Sequence, residues 1–184
     1  VLAFYGLEPD CFLALYAPTY RGAVGEDRLD GLSFDVVRFR AALEAKFGKK
    51  AVVLLRMHYF HAGAVASEGA LSASDYPDMQ ELLAAADLLM TDYSSSMWDF
   101  ALTGKPCLLY APDLGDYDTE RGFYTNPETW PGLLCQTEAE LLEKIAGYDE
   151  PTYREKIRTY LADCRSFDDG RATERVAALC REKA

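Results

Sequence analysis

The chain has 184 residues, 49% of them apolar and 27% charged, with a formal net charge of −11. That composition describes an ordinary globular domain and excludes a disordered or fibrous chain. The acidic balance argues against nucleic acid and anionic lipid as partners of this domain, because both are polyanions. No run reaches the roughly 18 apolar residues of a membrane span, and no basic-then-apolar signal segment opens the chain.

The opening stretch LAFYGLEPD reads as the end of a helix whose beginning is missing, so an excised domain is the expectation. The run FLALYA (12–17) predicts a first strand, apolar without alternation and therefore buried on both faces. APTYRG (17–22) follows, carrying Thr19 and Arg21 out of the sheet. An arginine here can fork onto phosphate oxygens, or it can be a surface residue of a mobile loop. Ser33 reads as the N-cap of a helix with Phe34, Val37, Leu43 and Phe47 on one side, ended by Gly48.

AVVLLRM (51–57) predicts a second strand. RMHYFH (56–61) then brings His58 to the carboxyl edge, where it can donate to a phosphate or stabilise a leaving group. His61 raises the question of a metal pair. No third ligand at suitable spacing accompanies it, and a loop hydrogen bond is the competing reading. ALSA (70–73) is a short strand candidate. Asp78 starts a helix carrying Met79, Leu82, Leu83 and Ala86.

DLLMT (87–91) predicts the next strand and leads into MTDYSSSMWDFALTGKP (90–106). Asp92 ends that strand, and a helix over Ser94–Leu102 turns Met97, Phe100 and Ala101 inward, with Gly104 as its stop. The first N–H groups of a helix have no internal partner and carry the positive end of its dipole. Serine hydroxyls beside them add donors without bulk, which favours an anion. One of Ser94 and Ser95 acting only as an N-cap is the plainer alternative, although capping needs a single serine.

PCLLYA (106–111) predicts the last of the four major strands. In the stretch after it, Arg121 of RGFY can approach the same edge, with Gly122 permitting close backbone contact. Asp116 and Asp118 form a D-x-D that reads as a solvated loop rather than a divalent-ion site. GLLCQ (132–136) is a further strand candidate, Thr137 with Glu140 a capping-box pattern, and helices are expected over 151–164 and 172–183. The five cysteines, Cys11, Cys107, Cys135, Cys164 and Cys180, include no CxxC pair and read as reduced structural thiols in a cytoplasmic compartment.

Strands alternating with helices predict an α/β fold, a Rossmann-like parallel sheet with helices on both faces. Ligands of such sheets bind at the carboxyl ends of the strands. Arg21, His58, Arg121, Arg56 and the Ser94 helix start are expected to converge there, making one cationic rim on an acidic domain.

Taken together, LYAPTYRG (15–22), LLRMHYF (54–60), the stretch 72–106, DLGDYDTERGFY (113–124) and DDGRATERV (168–176) resemble the CDP-glycerol glycerophosphotransferases of teichoic acid synthesis. Departures are a third serine at Ser96, Trp98 where a smaller aromatic is common, and the cysteines at 107 and 135. The resemblance implies two Rossmann-like halves in the GT-B arrangement, of which residues 1–184 correspond to the C-terminal, CDP-glycerol-binding half. The acceptor-side half, with the histidine usually assigned as general base, is not part of this sequence. His58 and Arg21 would then contact the donor pyrophosphate, Ser94 and Ser95 its phosphates, and Arg121 would add charge. The loop Ser74–Tyr76 would border cytosine and ribose. The catalytic candidate is therefore His58, and the substrate-binding candidates are Thr19, Arg21, Ser74, Asp92, Ser94, Ser95 and Arg121.

No cofactor and no metal is implied. The implied partners are CDP-glycerol and, through the other half, a poly(glycerol phosphate) teichoic acid acceptor. Membrane contact is expected only through that other half, peripherally, on the inner face of the cell membrane. CDP-ribitol or a nucleotide sugar as donor, and a non-catalytic nucleotide-binding module, are the rival readings.

Overall fold

The computed structural model of the chain describes residues 1–19, 32–57 and 69–183. The apolar runs form β1 (Phe12–Tyr16), β2 (Ala51–Leu55), β3 (Ala70–Ser72), β4 (Leu88–Thr91), β5 (Cys107–Tyr110) and β6 (Leu133–Cys135). Every neighbouring pair is parallel, and the spatial order is β3-β2-β1-β4-β5-β6. This is the doubly wound order in which the winding reverses between β1 and β4.

The helices are α1 (Leu2–Tyr5), α2 (Val36–Phe47), α3 (Met79–Ala85), α4 (Ser96–Ala101), α5 (Leu114–Glu120), α6 (Glu138–Ala146), α7 (Glu150–Asp163) and α8 (Ala172–Glu182). Side chains alternate across each strand, so the continuous apolar run of β1 feeds two cores. Phe12, Ala14 and Tyr16 pack in one layer with Phe39 and Leu43 of α2 and Leu141 and Ile145 of α6. Leu13 and Leu15 pack in the other with Leu82 and Leu83 of α3 and Met97 and Phe100 of α4. On α7, Tyr153 donates its hydroxyl to the Pro131 carbonyl at 3.0 Å and accepts from the Cys107 N–H at 3.0 Å, which ties α7 to the start of β5.

Three expectations need correction. Asp35, not Ser33, caps α2, its carboxylate accepting from the N–H groups of Val37 and Arg38. The buried face also differs from the expected one: Val36 packs inward with Phe39 and Leu43, and Val37 faces solvent. The D-x-D lies on helix α5 rather than in a loop, with Asp116 and Asp118 both exposed. The cysteines divide into two groups: Cys11, Cys107 and Cys135 are buried, whereas Cys164 and Cys180 are exposed. Burial pushes the Cys135 thiol up to about 12 and raises Cys107 as well.

Under native conditions iodoacetamide is therefore expected to modify Cys164 and Cys180 while sparing Cys107 and Cys135 until the chain unfolds, as read by peptide mass mapping. A second test concerns Gly132, where an added Cβ would lie within 2.9 Å of Leu109 side-chain atoms. Gly132→Ala is expected to cost about 1–3 kcal/mol through overpacking, measured as a lowered urea midpoint.

Candidate functional site

The winding reversal opens a crevice where β1 and β4 end, and one carboxylate shapes it. Asp92 follows β4 and is 2% exposed. It accepts from the Thr19 N–H at 2.9 and 3.0 Å, the Thr19 hydroxyl at 2.5 Å and the Tyr93 N–H at 2.5 Å. One residue earlier, Thr91 donates its hydroxyl to the Ala17 carbonyl at 2.7 Å, and the Ala17 N–H donates to Met90 at 2.9 Å. The two strand exits are thus laced together beneath the rim. Thr19 spends both of its donors on Asp92, so these two residues hold the crevice in shape.

The three serines do three different things. Helix α4 begins at Ser96, two residues later than expected. Ser96 is buried and donates its hydroxyl to the Ser94 Oγ at 3.0 Å, and its N–H donates to the same oxygen at 3.3 Å. Ser94 is the side-chain cap, and its own O–H remains to donate. Ser95 is exposed and its side chain makes no cap bond. The Met97 and Trp98 N–H groups are engaged by the Ser94 and Ser95 carbonyls at 3.3 and 3.0 Å. Among the described residues of this strand exit, the N–H groups and hydroxyls of Ser94 and Ser95, just ahead of the helix rather than in its first turn, donate no hydrogen bond within the protein.

Ser94 shares a hollow of about 230 Å³ with Pro18, Arg56, Ser74 and Met79. Ser74 thus lies across the same hollow from Ser94's loop, and its hydroxyl accepts from the Met57 N–H at 3.2 Å. Arg56 does not point a bare cation at the rim: its Nη1 donates to backbone carbonyls of the Ala73–Tyr76 turn. Larger hollows of about 350 and 500 Å³ open beside β6, lined in part by Leu133, Lys144 and Lys156. They lie away from the β1/β4 reversal, and none of the candidate residues borders them.

Arg121 follows α5, and its guanidinium carbon sits 5.6 Å from the centroid of the Tyr117 ring. Tyr117 stacks on Tyr93 with centroids 3.8 Å apart, and the Tyr93 hydroxyl donates to Asp113 at 2.9 Å. Helix α5 is therefore moored to the residue next to Ser94, and Arg121 is held against Tyr117 at the end of that helix. Sequence reasoning missed this mooring; the aromatic spacing of Tyr93, Tyr117 and Phe123 was its only trace. His58 and Arg21 lie outside the described residues. Among those described, no group of three or more His, Cys, Asp or Glu side chains is placed to hold a metal ion.

The family model for CDP-glycerol:poly(glycerophosphate) glycerophosphotransferase matches residues 1–181. The chain belongs to that glycerophosphotransferase family. Among its relatives is a teichoic acid glycerol-phosphate transferase of Staphylococcus aureus, 33% identical over 88% of this chain and 43% of that protein. A teichoic acid ribitol-phosphate primase of Bacillus spizizenii is 32% identical over 89% of this chain and 42% of that protein. Wall teichoic acid polymerase TagF, in a histidine variant soaked with CDPG, superposes with a TM-score of 0.77 at 32% identity. It covers 99% of this chain and 44% of that one. The chain spans less than half the length of these relatives. Its Rossmann-like sheet is that of this glycerophosphotransferase family, whose members among the relatives are teichoic acid phosphotransferases. No helix among the described residues is long and apolar enough to cross a membrane.

In a family member whose crevice is laced this way, Asp92→Ala orphans the Thr19 and Tyr93 N–H groups in a buried place. The expected loss is about 2–4 kcal/mol of unfolding free energy, read from urea denaturation. An unchanged midpoint would show that the lacing contributes nothing.

Proposed function

We propose that this chain is the donor-binding part of a transferase that moves glycerol phosphate from CDP-glycerol to a poly(glycerol phosphate) teichoic acid acceptor, releasing CMP. The observation that carries the reading is the outward set of Ser94 and Ser95 donors at the β1/β4 reversal, in a chain of this family. Anions are drawn to such convergent N–H and O–H groups.

An acceptor hydroxyl oxygen forms the new bond to the glycerol phosphate phosphorus as the bond to the CMP phosphate breaks. The hydroxyl proton passes to a base supplied by the acceptor-side half. Negative charge grows on the departing CMP phosphate, and donors already aimed at it lower the barrier without reorganising. Ser94 and Ser95 supply two such groups, Arg121 adds positive charge from α5, and Ser74 borders the nucleoside side of the same hollow. His58 and Arg21 are assigned to the pyrophosphate, with His58 stabilising the leaving group.

The ribitol-phosphate primase among the relatives favours a second reading, in which the donor is CDP-ribitol. Nothing in the serine rim distinguishes the polyol, since it would engage only the shared diphosphate. Thermal shift with CDP-glycerol, CDP-ribitol and UDP-sugars separates these readings.

Titration calorimetry of the chain with CDP-glycerol should show saturable binding. His58→Ala and Arg21→Ala are each expected to weaken it about tenfold or more, the loss of a charge-assisted contact, while Tm is unchanged. No heat at millimolar ligand would refute the donor assignment; equal loss of Tm in the two variants would make those residues structural.

A further inference from the structure

Arg56 leaves β2 at the edge of the crevice, where a cation would be expected to face phosphate. Its backbone N–H donates to the Tyr16 carbonyl at 2.8 Å, continuing the β1–β2 pairing by one residue. Its side chain borders the hollow shared with Ser94 and Ser74, but Nη1 is spent on backbone carbonyls. Nη1 donates to the carbonyls of Ala73 at 2.7 Å, Ser74 at 3.2 Å and Tyr76. An Nη1 group has two hydrogens, so three carbonyls share them and the turn folds around one nitrogen. The Met57 N–H donates to the Ser74 hydroxyl, and the Ala73 N–H to the Leu55 carbonyl at 2.7 Å, so the start of the turn is fastened to the exit of β2 and Arg56 reaches its far end at Tyr76. Tyr76 is buried, donates its hydroxyl to Glu81 at 2.5 Å, and packs edge-on against Phe4 of α1 at 5.0 Å.

We propose that Arg56 is a positioning residue for the nucleoside end of the donor: it holds the Ala73–Tyr76 turn as the wall opposite Ser94. The proposal rests on the donor-binding reading above. Three carbonyl oxygens converging on one place repel one another unless a cation lies between them, so without the guanidinium the turn opens. The hollow shared by Ser74 and Ser94 would lose its shape on the side away from the phosphates. Arg56 therefore acts on the ligand through the turn and not by direct contact with phosphate.

The test measures binding of CDP and of pyrophosphate to the chain, together with amide hydrogen exchange of the ligand-free protein, for wild type, R56M and R56K. R56M should lose about tenfold or more in CDP affinity through misplacement of the wall, while pyrophosphate binds as in wild type. Exchange should quicken over residues 72–76 and stay unchanged in β1 and β4. R56K, which keeps a cation near the carbonyls and keeps the fold should R56M fail to form, is expected to fall between the two. Pyrophosphate affinity falling in step with CDP would make Arg56 a phosphate ligand and overturn the proposal. Unchanged exchange over 72–76 would overturn it equally. A wild-type chain that binds neither ligand refutes the donor reading, and the exchange measurement still decides separately whether Arg56 holds the turn.

Discussion

The buried carboxylate of Asp92 is the constraint around which the crevice is arranged. A carboxylate out of water is tolerated only when donors surround it, and here the donors come from the exits of both strands that flank the winding reversal. The chain cannot leave β1 in another direction without stripping Asp92 of the Thr19 N–H and hydroxyl. Nor can β4 run on, because the Tyr93 N–H is drawn back to the same carboxylate. The position of Ser94 and Ser95 relative to Pro18 follows from that one group.

This lacing explains how the polar residues at the rim divide their labour. Thr19, Asp92 and Ser96 spend their hydrogen bonds inside the protein, and Arg56 spends its side chain on the turn before α3. Ser94 and Ser95 are left facing outward. A polar residue at a strand end is thus as often framework as contact, and a framework of this kind keeps the remaining donors in fixed directions. Fixed donors lose little entropy when an anion arrives.

Much of the architecture was legible in the residues. The runs at 12–17, 51–57, 87–91 and 106–111 are apolar without alternation because each strand is buried on both faces, and the structure places β1, β2, β4 and β5 inside them. Caps were harder to place. Ser33 and Asp35 are both good N-cap residues two positions apart, and only the packing of Val36 decides between them. Helix α5 was not foreseen, since Leu114–Glu120 has no apolar stripe and is held by stacking on Tyr93, a contact between residues far apart in the chain. The serine triplet read as one cradle for the same reason: sequence shows three hydroxyls, and only the turn geometry shows that Ser96 points inward. The family resemblance stood on motif order, and the match over residues 1–181 bears it out.

The aromatic side chains beyond Tyr93 form a run across this face of the domain. Tyr117 and Phe123 stack with centroids 5.5 Å apart, Phe123 meets Trp130 edge-on at 5.4 Å, and Trp130 lies 5.8 Å from Trp98. Trp98 in turn donates its indole N–H to the Tyr160 hydroxyl of α7 at 2.6 Å. Both tryptophans of the chain belong to this run, one of them only two residues past Ser96. The protein's ultraviolet emission is thus a built-in optical gauge of the rim, sensitive to displacements there without any attached dye.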